Sequence, residues 1–142
     1  MLGSSFVRFV DCGGRVRRAA WQHRGVTTPM HGRVPAVSPE ELPEQLPEGS
    51  LLDVREQEEW DAGHAPGAVH IPMNEIPQRL DEIPEVDQLY VICRSGGRSS
   101  KVTAYLNASG WDAVNVDRGM NGWSSIGRPV VADDPDAEPQ VL

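Results

Sequence analysis

Residues 89–93 read Leu-Tyr-Val-Ile-Cys, a continuous apolar run, and Gly96 and Gly97 follow it within four residues. A half-solvated strand alternates apolar and polar side chains, so an uninterrupted run of this length predicts a strand buried on both faces. Val102, Tyr105 and Leu106 then recur at helical spacing up to Gly110, a natural left-handed helix stop. Strands buried on both faces belong to parallel sheets, whose neighbours need crossover connections that are almost always right-handed.

The rest of the chain repeats the alternation. Strands are expected at Val34 to Val37, Leu51 to Val54, Ala68 to Ile71 and Ala113 to Val116. A short helix is expected near Pro39 to Leu46, with Ser38 as N-cap and Pro39 at the first helical position. A second covers Glu56 to Ala62, with acids in its first turn and Gly63 as a left-handed cap. A third is marked by Ile76, Leu80 and Ile83, with Asn74 as its cap. Strands alternating with helices predict an α/β domain built on a parallel sheet. The 142 residues, 39% of them hydrophobic, suit one core of ordinary size, and a tandem pair of such domains would not fit.

Charge divides the chain. In residues 1–34 six arginines (Arg8, Arg15, Arg17, Arg18, Arg24, Arg33) stand against one acid, Asp11, so the net charge of −8 leaves −13 on the remainder. An acidic body argues against nucleic acid as a partner, because phosphate binding draws on clustered positive charge. No stretch approaches the roughly 20 apolar residues of a membrane span. Cys12 and Cys93 are too few for a disulfide framework, which suits a cytoplasmic protein. Residues 1–33 read as an arm outside the fold, disordered or an upstream extension with Met30 as the working start. Residues 132–142, acidic and proline-containing, read as a solvated tail.

The chemistry is expected in Cys93-Arg94-Ser95-Gly96-Gly97-Arg98-Ser99. Ligands of open parallel sheets bind at the carboxyl ends of strands, and Cys93 sits at such an end. The glycines let backbone N–H groups turn inward, and the next helix adds unpaired donors at its start, making an anion cradle around the sulfur. Those donors and the two arginines should favour the nucleophilic thiolate. Nothing comparable surrounds Cys12, which reads as an inert small hydrophobe.

This loop after a buried strand resembles the active-site loop of the rhodanese family. Three further segments resemble family features in the expected order: LLDVRE (Leu51 to Glu56), GHAPGAVHIP (Gly63 to Pro72) and GMNGW (Gly119 to Trp123), the last with Met120 in place of a commoner second glycine. The resemblance covers about residues 34–131. It implies an α/β rhodanese-like fold, a central parallel sheet with helices on both faces, and a sulfurtransferase of the thiosulfate:cyanide type. By that analogy Cys93 attacks the sulfane sulfur of a small anionic donor such as thiosulfate, sulfite leaves, and the persulfide passes its sulfur to cyanide, a thiol or a protein acceptor. Arg94, Ser95, Gly96, Gly97, Arg98 and Ser99 would form the substrate site, with Arg94 and Arg98 attracting the donor's sulfonate. Asp53 and Arg55 would brace the loop from the neighbouring strand end. No metal or organic cofactor is implied.

His64 and His70 invite a catalytic reading, but the resemblance requires no histidine base, and both lie in a segment read as turn and strand. Neither has a partner at ligand spacing for a metal. Trp60, Trp111 and Trp123 read as core or sheet-covering aromatics. The competing functions are a sulfur carrier or regulatory module on the same fold, and a phosphatase or arsenate reductase. Loop length weighs against the last, because four residues separate Cys93 from Arg98 where the phosphatase pattern places five to hold a tetrahedral oxyanion.

Overall fold

The computed structural model describes residues 34–142, together with the backbone of Arg8–Val10 and Val16–Arg18. Those two segments, β1 and β2, pair antiparallel with Arg8 opposite Arg18, inside the arm where the sequence suggests no strand. Cys12 and Met30 lie outside the described residues.

Five short parallel strands form the main sheet: β3 (Ala36–Val37), β4 (Leu51–Asp53), β5 (Val69–His70), β6 (Leu89–Ile92) and β7 (Ala113–Val116), in the order β3-β7-β6-β4-β5. The apolar run 89–93 is therefore the central strand, flanked by β4 and β7. Its side chains alternate between two cores. Leu52, Val54, Leu89, Val91 and Cys93 pack on one face with Val102 and Leu106 of helix α2 (Gly97–Ala108) and with Ile76 and Ile83. Leu51, Ile92 and Val116 pack on the other with Met120 and Trp123 of helix α3 (Gly119–Ser125) and with Leu42. Helices thus cover both faces of the sheet. Each fully buried Leu, Ile or Met in these layers contributes about 1.5–3 kcal/mol.

Three local expectations need correction. The segment around Ile76 is not an α-helix but two 3₁₀ turns, Met73–Gln78 and Leu80–Glu82, because Pro77 lies inside it and offers no N–H to an α ladder. The helix expected from Pro39 to Leu46 is a single 3₁₀ turn, Pro39–Glu41, capped as expected at Ser38, whose N–H donates to Glu41 Oε1 at 2.9 Å. Gly63 ends helix α1 (Gln57–Ala62) in an extended conformation, φ 169°, not a left-handed one. A glycine is needed there for space, since a Cβ would lie 2.4 Å from Gln140 O.

That contact reflects how the acidic C-terminal segment runs. Most of it is exposed, yet Val131 pairs with His64, Gln140 N–H donates to Ala62 O at 2.9 Å, and Val141 packs on the second core. Among the described residues no helix is long and apolar enough to cross a membrane.

Candidate active site

The carboxyl ends of β4, β6 and β7 meet at one edge of the sheet, and residues 93–99 lie in their midst. Cys93 follows the central strand and is only 1% exposed. Its Sγ accepts from the Gly96 N–H at 3.1 Å and lies 3.3 Å from Ser99 Oγ. Gly96 takes φ +108°, the left-handed conformation that turns this N–H back onto the sulfur before α2 begins. Burial is the largest single influence on the Cys93 thiol and pushes its pKa up. The Ser99 hydroxyl and the amides of Ser99, Gly96 and Ser95 together outweigh it and hold the thiol below its ordinary value.

The donors at the sulfur are thus a hydroxyl and backbone amides. Arg94 is exposed at the mouth of the loop. Arg98 points elsewhere: its guanidinium makes a two-pronged pair with Glu59 of α1, Nη1 to Oε1 at 2.8 Å and Nη2 to Oε2 at 3.0 Å. The hydrogen bond from Arg98 is the main reason that the Glu59 carboxyl falls to about 2. Its folded pKa lies below the ordinary 4.5, so the stabilisation is complete above about pH 4.5 and is lost as pH falls toward 2. Glu59→Gln should therefore cost about 1 kcal/mol near neutral pH and nothing near pH 2. Urea denaturation of both proteins across that range checks the sign.

Asp53 and Arg55 sit behind this pair, both fully buried. Arg55 Nε and Nη2 donate to the Asp53 carboxylate at 2.7–3.0 Å, and Nη2 also donates to Gly63 O at 2.8 Å, which ties the end of β4 to the end of α1. Arg55 Nη1 is buried without a partner among the described residues. The pair meets the loop only at one remove, through Gly63 at the end of α1 and the Glu59 of that helix, which holds Arg98. His64 and His70 belong to the same scaffold. Their rings stack on Trp60 at 3.6 and 4.8 Å, and they donate to the carbonyls of Trp60 and Arg55. Neither is a hydrogen-bond partner of Cys93.

The loop is closed from its other side by α3. The N–H groups of Met120 and Asn121 donate to Cys93 O at 2.7 Å and Arg94 O at 3.0 Å. So close an approach requires Gly119, at φ +50°, where a Cβ would lie 2.2 Å from Cys93 O. Met120, which departs from the commoner glycine, is wholly buried in the second core. Gly119→Ala should cost about 2–4 kcal/mol, from backbone strain and overpacking together. Gly127→Ala, equally left-handed at φ +86° but in open space, isolates the strain and should cost about 1 kcal/mol. Chemical denaturation of the two variants separates the contributions.

Sequence reasoning singled out Cys93, its loop and the Asp53–Arg55 pair, and the structure gathers them at one sheet edge. It missed Glu59, which reads as an ordinary helix acid, and Asn115, whose Oδ1 accepts from Ser99 Oγ at 2.5 Å. The second carried a signal: it is the one polar side chain in the buried strand Ala113–Val116.

Comparison with known proteins agrees with this arrangement. YrkF of Bacillus subtilis, provisionally named a sulfur carrier protein, is 43% identical over 76 residues, which take in 53% of this chain and 41% of that one. A sulfurtransferase of Allochromatium vinosum is 40% identical over 83 residues, 58% of this chain and 78% of its own. The crystal structure of a rhodanese-like domain protein from Staphylococcus aureus superposes with a TM-score of 0.57 at 35% identity, covering 75% of this chain and 98% of that one. The match to the rhodanese-like domain runs over residues 38–126, from the Ser38 cap through the cysteine loop to the end of α3, and the chain belongs to that family.

Proposed function

We propose that the protein is a sulfurtransferase that carries sulfur as a persulfide on Cys93. The observation that supports this most is the setting of Sγ, buried at the end of the central strand with amide and hydroxyl donors turned onto it. A thiolate is stabilised there, and a second sulfur atom extending into the loop would meet the same inward-facing amides. In the first half-reaction the Cys93 thiolate attacks the sulfane sulfur of thiosulfate, the sulfur–sulfur bond of the donor breaks, and sulfite leaves with the electron pair. In the second, cyanide, a thiolate or a protein thiol attacks the outer sulfur and Cys93 leaves as thiolate. Neither step needs a metal or organic cofactor. Kinship with a sulfurtransferase and a protein named for sulfur carriage agrees with this chemistry.

Arg94 is the better candidate for meeting the donor's sulfonate, being exposed beside the cysteine, whereas Arg98 is neutralised by Glu59. The deciding experiment is mass spectrometry of the intact protein after thiosulfate. The expected result is a gain of one sulfur atom on the peptide containing Cys93, removed by cyanide with release of thiocyanate. Unchanged mass together with phosphate release from an aryl phosphate would favour the phosphatase reading.

A further inference from the structure

Ser99 Oγ lies between two acceptors, 3.3 Å from Cys93 Sγ and 2.5 Å from Asn115 Oδ1. A hydroxyl has one proton and cannot serve both at once. Ser99 is fully buried on the first turn of α2, and Asn115 is 3% exposed in β7, beside Val91 of the central strand. The Asn115 N–H is already spent on Pro35 O, so the side chain is not completing the sheet. A polar side chain in a buried strand costs free energy unless it is hydrogen-bonded, and this one is bonded to the hydroxyl that faces the sulfur.

We propose that Asn115 is a positioning residue for the sulfur chemistry: its Oδ1 accepts from the Ser99 hydroxyl while Cys93 Sγ is uncharged, and yields the hydroxyl as a donor to Sγ when that atom becomes a thiolate. The inference rests on the persulfide cycle proposed above. In the persulfide, Sγ is a neutral divalent sulfur and a weak acceptor, so the Ser99 hydroxyl keeps donating to the amide oxygen. When a nucleophile attacks the outer sulfur, the sulfur–sulfur bond breaks and its electron pair passes to Sγ. A charge-assisted bond to the new thiolate then outweighs the neutral one to Asn115. Rotation about the Cβ–Oγ bond of Ser99 moves the proton across, with no heavy atom displaced. The leaving group gains its donor as its charge develops, and loses it again when Cys93 is reloaded.

Among the described residues, charged groups on the elements packed about the cysteine loop include Arg94 in the loop, Arg98 of α2 paired with Glu59 of α1, Lys101 of α2, Glu56 ahead of α1, Asp117 and Arg118 ahead of α3, the latter paired with Glu40, and Asp53 at the end of β4 paired with Arg55. None changes when Asn115 is replaced, so a change in Cys93 titration reports on the hydroxyl.

The test is the pH dependence of Cys93 alkylation by iodoacetamide in the unloaded protein, which requires no sulfur transfer. Asn115→Leu and the smaller Asn115→Ala remove the competing acceptor and should move the midpoint down by about 0.5–1 pH unit. Ser99→Ala should move it up by about one unit and slow discharge of a preformed persulfide by cyanide roughly tenfold. In the Ser99→Ala background, Asn115→Leu should have no further effect, because Asn115 acts only through the hydroxyl. An upward shift in the Asn115 single variants would mean that the amide donates to Ser99 and would overturn the proposal. So would a shift of equal size with and without Ser99. Failure of the parent to form a persulfide would instead sink the sulfurtransferase reading and leave the alkylation result to stand for itself.

Discussion

Cys93→Ser is expected to remove sulfur transfer while leaving the fold in place. Serine is nearly isosteric and its hydroxyl can still accept from the Gly96 N–H, so the turn from β6 into α2 keeps its internal bond. The hydroxyl is barely ionised near neutral pH and cannot form a persulfide. Thiocyanate production should fall on the order of 10³-fold or more, since loss of a nucleophile removes the covalent route itself. The variant should show no added sulfur after thiosulfate, and its thermal midpoint should stay within a few degrees of the parent. Cys12→Ser should behave as the parent does. Transfer persisting in Cys93→Ser, or vanishing in Cys12→Ser, would put the chemistry on the other sulfur.

The largest loss of stability is expected from Asp53→Ala. Arg55 is 0% exposed, and among the described residues its guanidinium has only the Asp53 carboxylate and Gly63 O as partners, with Nη1 unpartnered. Removing the carboxylate strands a buried cation, which costs about 3–5 kcal/mol against a total stability of about 5–15 kcal/mol. Urea denaturation should show the midpoint falling sharply or the protein failing to accumulate folded. Asp53→Leu combined with Arg55→Met removes both ions and should recover much of the loss, because a buried pair contributes little net stability over apolar packing. A loss below about 1 kcal/mol in Asp53→Ala would show that water reaches the guanidinium.

Cys93 and Arg98 show how far the chain could be read before folding. Cys93 was legible because its context is local: a buried strand, two glycines and the start of a helix are contiguous in sequence, and their geometry follows from backbone preferences over a few residues. Arg98 was legible only in part. Its place in the loop was plain, but its partner Glu59 is 39 residues away and meets it only because α1 and α2 emerge from the neighbouring strands β4 and β6. An arginine counted from sequence as free charge for the substrate is, in the folded protein, largely neutralised.

The same division holds across the molecule. Sequence alone determined the α/β class, the buried central strand and the place of Cys93 at its carboxyl end, because hydrophobic period and glycine turns act over short stretches of chain. It misjudged Met73–Gln78, where helical spacing was present but Pro77 removed a ladder donor, and it expected a left-handed Gly63, which ends the helix in an extended conformation and is held to glycine by the backbone of Gln140. Tertiary structure decided the strand order, and with it what packs behind the cysteine loop: Asn115 of β7 against Ser99, and the α3 amides that Gly119 admits to the Cys93 and Arg94 carbonyls. Such contacts join residues far apart in the chain. They are fixed by how the elements pack at one edge of the sheet, and no local pattern encodes that packing.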